Sequence, residues 1–158
     1  MLRSNSGAIA DQGSIDYLRG DRAVAMTHMD AMKITTVNAE STPVASGGYS
    51  QALSISGPSR FLFISGQIPE SRDGNVPNDF KAQAALVWAN LLAQLSAANM
   101  AVENLLKITT FLSSREYAVQ NREARQAALG GHVPALTVII AGIFDERWLL
   151  EIEAVAAA

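Results

Sequence analysis

The sequence predicts an α+β domain of six strands and two helices in the order β-ββ-α-β-α-ββ. Three observations carry that reading. Phe80, Ala84, Val87, Leu91 and Leu95 recur at intervals of three and four, an apolar stripe at helical period. Leu105 to Ser113 alternates instead, with Leu106, Ile108, Thr110 and Leu112 on one face and Lys107, Thr109 and Phe111 on the other. The last strand alternates too: Leu150, Ile152 and Ala154 face one way, Glu151, Glu153 and Val155 the other.

The elements follow in order. Lys33 to Val37 (KITTV) is rich in β-branched residues and reads as the first strand. Ser41 to Gly48 holds Pro43, Gly47 and Gly48 and reads as a loop. Gln51 to Ser56 and Phe61 to Ser65 are the second and third strands. Gly57-Pro58-Ser59-Arg60 between them is a turn signal, so they are expected to form a hairpin. Gly66 to Asn78 is a second loop. The first helix runs from Phe80 to Ala98, capped by Asn78 or Asp79 and ended by a left-handed Asn99. The second helix runs from Arg115 to Leu129 and stops at Gly130-Gly131. Ala135 to Ala141 and Arg147 to Ala156 complete the strands, joined by a short turn around Phe144-Asp145-Glu146. Helices inserted between strands favour crossovers onto one sheet face. The expectation is one six-stranded mixed sheet with both helices on one side. The mixed opposite face is expected to pack against other copies of the chain, with sites in the seams.

At 158 residues the chain has room for one domain and a tail. Residues 1–31 are Ser-, Gly- and Asp-rich, with a weak helical patch from Ile15 to Met29, and Met26, Met29 and Met32 are alternative starts. They read as an N-terminal extension, either a flexible tail or a segment that docks on a partner subunit. The domain proper is residues 32–158. A net charge of −3 gives no electrostatic footing for nucleic acid. The absence of cysteine excludes disulfides, thiolate metal sites and a cysteine nucleophile. His28 and His132 lie far apart, which argues against a metal site. No segment is apolar enough to span a membrane or serve as a signal peptide, so a cytoplasmic location is the default.

Three short segments concentrate polar and small residues in apolar surroundings: Gly48-Tyr49-Ser50-Gln51, Ser65-Gly66-Gln67-Ile68-Pro69, and Glu151-Ile152-Glu153-Ala154-Val155-Ala156. Together with Val76-Pro77, Gln83-Ala84, Leu106 to Leu112, Asn121 and Pro134-Ala135, they occur in an order and spacing that resemble the Rid family, also called YjgF or L-PSP endoribonuclease-like. The resemblance runs from about Lys33 to Ala158. It implies a chorismate-mutase-like fold and a homotrimer with three clefts between subunits. It also implies metal-free and cofactor-free hydrolysis of reactive imines and enamines such as 2-iminopropanoate. Some family members are instead described as ribonucleases or translation inhibitors.

Within that frame Glu151 is the candidate catalytic residue. A recessed carboxylate can orient water and, with its pKa raised by burial, act as a general base. The competing reading is a structural ion pair with Lys107. Glu153 fits a rim or interface salt bridge better. The resemblance places Tyr49, Ser65, Gly66 and Asn121 against the substrate. Tyr49 follows two glycines that permit a sharp turn, although packing at a subunit seam explains it as well. Ser65 can donate to a carboxylate or imine nitrogen, or simply end a strand. Asn121 stands three residues before Ala124, where the family usually has an aromatic. His132 reads as a loop histidine facing solvent.

Leu136 is the main departure. Imine-hydrolysing relatives carry an arginine directly after the Pro-Ala pair, and it grips the substrate carboxylate; here that position is Leu136. Losing one partner of a buried charge pair costs about 2–5 kcal/mol, roughly 30- to 3,000-fold in binding. Arg122, Arg125 or Arg147 could substitute from another direction, or the cleft takes a more apolar ligand suited to Leu136, Val138 and Tyr49. Two functional readings follow: a hydrolase of altered specificity, or a binding protein for a small metabolite that kept trimer and cleft. Ribonuclease activity is a third, poorly served by an acidic chain without a histidine pair.

Overall fold

The alternation of the last strand organises the sheet. In this computed structural model, which describes residues 31–158, the strands are β1 (Lys33–Val37), β2 (Ala52–Ser56), β3 (Phe61–Gln67), β4 (Leu105–Leu112), β5 (Ala135–Ile140) and β6 (Leu150–Ala157). The helices are α1 (Phe80–Ala97) and α2 (Ala118–Leu129), and α2 is led in by a short 3-10 turn over Arg115–Tyr117. The expectations for the helical patch, Met26, Met29, His28 and a docking segment fall in residues 1–30, outside the described residues.

β6 inserts between β3 and β4, antiparallel to both, and gives the order β3-β6-β4-β5. β4 and β5 are parallel and joined by the α2 crossover, as a helix between strands requires. Here the structure corrects the single six-stranded sheet. β1 and β2 form their own antiparallel ribbon, and β2 does not pair with β3 as a hairpin. The cause is long-range. The Ser59 and Arg60 amides both donate to the Ala158 carbonyl, tying the start of β3 to the end of β6. Meanwhile the Ser50 amide donates to the Pro134 carbonyl at 3.0 Å, and Ser50 bridges Ala135. The two ends of the presumed hairpin are thus drawn to opposite edges of the four-stranded sheet.

The core is built as the periodicity demands. Ala84, Val87, Leu91 and Leu95 of α1 pack on Ile108 and Leu112 of β4 and Leu150 and Ile152 of β6, all buried. Truncating a leucine there costs about 2–5 kcal/mol. Asp79 caps α1, its carboxylate accepting from the Ala82 amide at 2.9 Å, and Asn99 ends it at φ 54°. Buried Gln83 ties the helix start to two loops. Its amide nitrogen donates to the Pro77 and Arg147 carbonyls and its oxygen accepts from the Leu149 amide, each at 2.8 Å. The sheet face away from the helices stays uncovered, with Phe63 76% exposed on β3 and Ile139 42% exposed on the edge strand β5. Among the described residues no helix is long and apolar enough to cross a membrane.

Candidate functional site

A β-bulge builds the first half of the site. β3 pairs regularly with β6 up to Ile64↔Ala154, and pairing resumes at Gln67↔Ile152. Ser65 and Gly66 occupy the irregular step. A bulge re-aims the backbone and increases local twist, and here it brings Gly66 under the Glu151 side chain. A Cβ on Gly66 would lie 1.7 Å from Glu151 Oε1 and 2.7 Å from its carboxyl carbon. Only glycine leaves room for that carboxylate. Among the described residues Glu151 forms no ion pair. Burial first, and the neighbouring Glu153 second, push its pKa above the ordinary 4.5.

The expected alternative pairing of Glu151 with Lys107 does not form. Lys107 is opposite Val155 in the ladder, whereas Glu151 is opposite Phe111. The Lys107 ammonium donates instead to the Thr137 hydroxyl across β5. Burial lowers its pKa while Glu153 opposes the shift. Lys107, Thr109, Ser65 and Glu153 line a recess of about 330 Å³ on the open sheet face.

The second half lies on the helix side. Gly47 and Gly48 adopt φ of 91° and 78°, the left-handed turn that swings Tyr49 toward β5. Ser50 then fastens the turn: its hydroxyl donates to the Val133 carbonyl at 2.6 Å. Tyr49, Asn121, Leu136 and Val138 line a cavity of about 230 Å³, together with Arg122 and Arg125. Leu136 is paired with buried Ile108 and packs on the core, which fixes its side chain on the helix side. Asn121, Arg125 and Leu129, spaced four apart, form the buried face of α2. Arg125 is only 5% exposed. Its Nη2 donates to the Gly47 carbonyl at 2.7 Å, while its Nε and the Asn121 Oδ1 are buried without partners.

One protomer therefore divides the six sequence-predicted residues into two sets. Ser65, Gly66 and Glu151 meet at the bulge; Tyr49, Asn121 and Leu136 meet at the α2 cavity. Leu136 lies three residues along β5 from Ile139, the β5 residue level with Phe111 and Glu151, and on the opposite side of the pleat. His132 lines a separate recess of about 250 Å³ with Gly48 and Gln126, and its Nε2 sits 2.6 Å from the Leu105 carbonyl. A carbonyl only accepts, so Nε2 carries the proton. Sequence reasoning raised Arg125 only as a substitute cation and did not foresee its burial. The i, i+4, i+8 spacing of Asn121, Arg125 and Leu129 was the available signal. Among the described residues no cluster of three or more His, Asp or Glu side chains is placed to ligate a metal.

Fold and site together define an α+β protein with a half-buried carboxylate on an open sheet face and a cavity of mixed lining beside its edge strand. Comparison with known proteins narrows this. The family model described as Endoribonuclease L-PSP matches residues 39–158. The RutC family protein PH0854 of Pyrococcus horikoshii is 33% identical over 119 residues, covering 74% of this chain and 92% of the relative. The mitochondrial protein MMF1 of Saccharomyces cerevisiae is 26% identical over 124 residues, 78% of this chain and 83% of the relative. A solved structure of the Rid family protein YyfB from Yersinia pestis, described as of unknown function, superposes with a TM-score of 0.70 at 25% identity, covering 79% of this chain and 98% of that one. The chain belongs to the endoribonuclease L-PSP family, the Rid or YjgF family of the sequence resemblance.

Proposed function

We propose that this protein hydrolyses a small reactive imine or enamine to a carbonyl compound and ammonia, in clefts between the subunits of a homotrimer. The observation that carries the reading is the Glu151 carboxylate: seated on Gly66, unpaired, and raised in pKa by burial. Such a group orients water and accepts its proton near neutral pH more readily than an exposed glutamate. In the reaction, water oxygen bonds to the imine carbon while Glu151 takes one proton. That proton passes to nitrogen to give a carbinolamine. The hydroxyl O–H bond then breaks, its proton is carried by the carboxylate to nitrogen, the C–N bond breaks, ammonia leaves and the C=O bond forms. An enamine enters the same path after tautomerising to the imine. Ser65 lies at the same bulge to hold the substrate. Tyr49, Asn121 and Leu136 would come from the neighbouring copy, since one protomer keeps them on the other side of its sheet. The exposed apolar residues of β3 and β5, Phe63 and Ile139 among them, suit burial in such seams. No metal or organic cofactor enters this scheme, and the cytoplasm is its proposed compartment.

Leu136 favours a second reading, a trimer that binds a small metabolite without turning it over. Ribonuclease activity draws no support from His132, whose ring proton is engaged by the Leu105 carbonyl. The test is ammonia release from freshly generated 2-iminopropanoate and 2-iminobutanoate. Wild type should be active and Glu151→Ala reduced about 100- to 10,000-fold. Silence of the wild type, of Glu151→Ala and of Leu136→Arg alike would remove the hydrolase reading. Activity gained only in Leu136→Arg would show intact machinery tuned to another ligand.

A further inference from the structure

A groove of about 680 Å³ runs between the start of α1 and the outer flank of α2. Buried Phe80 and half-buried Tyr117 stack in its wall, with ring centroids 4.6 Å apart and planes 9° from parallel. Ala124 and Ala127 of α2 widen the apolar surface, and the exposed side chains of Asp79, Glu123 and Lys81 add two carboxylates against one ammonium. The groove shares no residue with the bulge or with the α2 cavity. Nothing in the proposed hydrolysis uses it.

The chain carries a segment of matching chemistry. Residues 1–30 precede the described structure, and the family model begins only at residue 39, so the segment lies outside the domain shared with relatives. At about 100° per residue, a helix over residues 15–29 would put Ile15, Leu18, Ala25, Met26 and Met29 on one face roughly 100° wide. Arg22 falls within that face and Arg19 at its edge. Such a stripe needs an apolar surface to cover it, and a cation inside the stripe needs a carboxylate on that surface. The groove offers both. It is also within reach. β1 begins opposite Ser56, shortly before Arg60, whose guanidinium donates to the Ala98 carbonyl at the far end of α1. The groove is one α1 length away, about 27 Å. A helix over residues 15–29 spans about 22 Å, and residues 30–32 add about 10 Å. The Ile15 to Arg22 half therefore arrives at the groove. At the ~30 Å³ share of one liquid water, the groove has room for roughly twenty non-hydrogen atoms, enough for the side chains of Ile15, Leu18 and Arg22 together.

We propose that residues 15–29 form a helical strap that docks in this groove on their own chain, with Ile15 and Leu18 against Tyr117 and Arg22 paired with Glu123. The inference is independent of the hydrolase reading, and either can fail without the other.

Hydrogen exchange of the full chain, read by mass spectrometry, tests it. Amides of residues 15–29 should exchange at least ~10-fold more slowly than in a free peptide of the same sequence. Leu18→Asp should abolish that protection. Arg22→Glu and Glu123→Lys should each lower it by a factor of roughly 2–5, and the double charge reversal should restore it. Glu123 and Ala127 are exposed on α2, so changes there spare the fold. The chain has no cysteine, which permits a geometric readout. Leu18→Cys with Ala127→Cys should close a disulfide within one chain at least ~10-fold faster than Leu18→Cys with Ser96→Cys at the far end of α1. Unprotected amides over residues 15–29 in the wild type overturn the proposal. So does protection that Glu123→Lys and Leu18→Asp leave unchanged, which would place the segment on another surface. A disulfide that forms between copies, or equally fast at Ser96, overturns it as well.

Discussion

The Ser65–Gly66 bulge and the inner face of α2 each hold one charge with no ion-pair partner among the described residues, and they are made in different ways. At the bulge, a local irregularity of the backbone clears space, and the carboxylate of Glu151 occupies it. On α2, a regular helix points an arginine inward and a distant loop closes over it, Gly47 accepting from Arg125. The first region depends on the absence of a side chain; the second depends on a turn 78 residues away in sequence. One is anionic and the other cationic, and the sheet separates them within a protomer. In the proposed trimer, a second copy set with its α2 cavity over the bulge would bring Tyr49 and Asn121 to the Glu151 carboxylate.

Breaking the bulge should have the larger effect. Gly66→Ala places a methyl group 1.7 Å from Glu151 Oε1, so the carboxylate must move. A displacement of about 1 Å in a catalytic group costs on the order of a hundredfold in rate. Steady-state ammonia release should show that loss in kcat, with circular dichroism unchanged. Next comes the fastening of the glycine turn. Ser50→Ala leaves the turn without its hydroxyl contact to the Val133 carbonyl, a loss of about 0.5–1.5 kcal/mol for a hydrogen bond whose acceptor belongs to an exposed residue. Urea unfolding should report it, and KM should rise because Tyr49 loses its anchor. The smallest effect is a pH dependence. A carboxyl whose folded pKa lies above its unfolded value binds its proton more tightly when folded, so ionisation costs stability as the pH rises above about 4.5. Glu151→Gln should therefore gain thermal stability relative to wild type between pH 4 and 7. A difference in Tm that stays constant over that range would mean that Glu151 is not desolvated.

The two regions also differ in how far the sequence revealed them. The α1 stripe, the β6 alternation and the double glycine before Tyr49 are local patterns with one physical meaning, and the structure follows them. The proximity of Gly66 to Glu151 needed the β3–β6 register, which local pattern does not specify. The β2–β3 hairpin misled for the same reason. Gly57-Pro58 does turn the chain, with Gly57 at φ 70°, but pairing is decided by the Ala158 carbonyl and by Ser50 on Pro134. Arg125 was the hardest to read, since an arginine in mid-helix is ordinarily solvated. Its burial depends on a loop laid over α2 from before β2.

Subunit complementation tests the central claim, that the site is assembled from two copies. Glu151→Ala breaks the bulge half and Tyr49→Ala the cavity half, and each alone should lose most ammonia release. Unfolded together in equal amounts and refolded, the two should form closed rings in which about a quarter of the seams join two intact halves. The mixture should then recover roughly a quarter of wild-type turnover. A mixture no more active than the mean of its two components would place the whole site in a single chain and contradict the account.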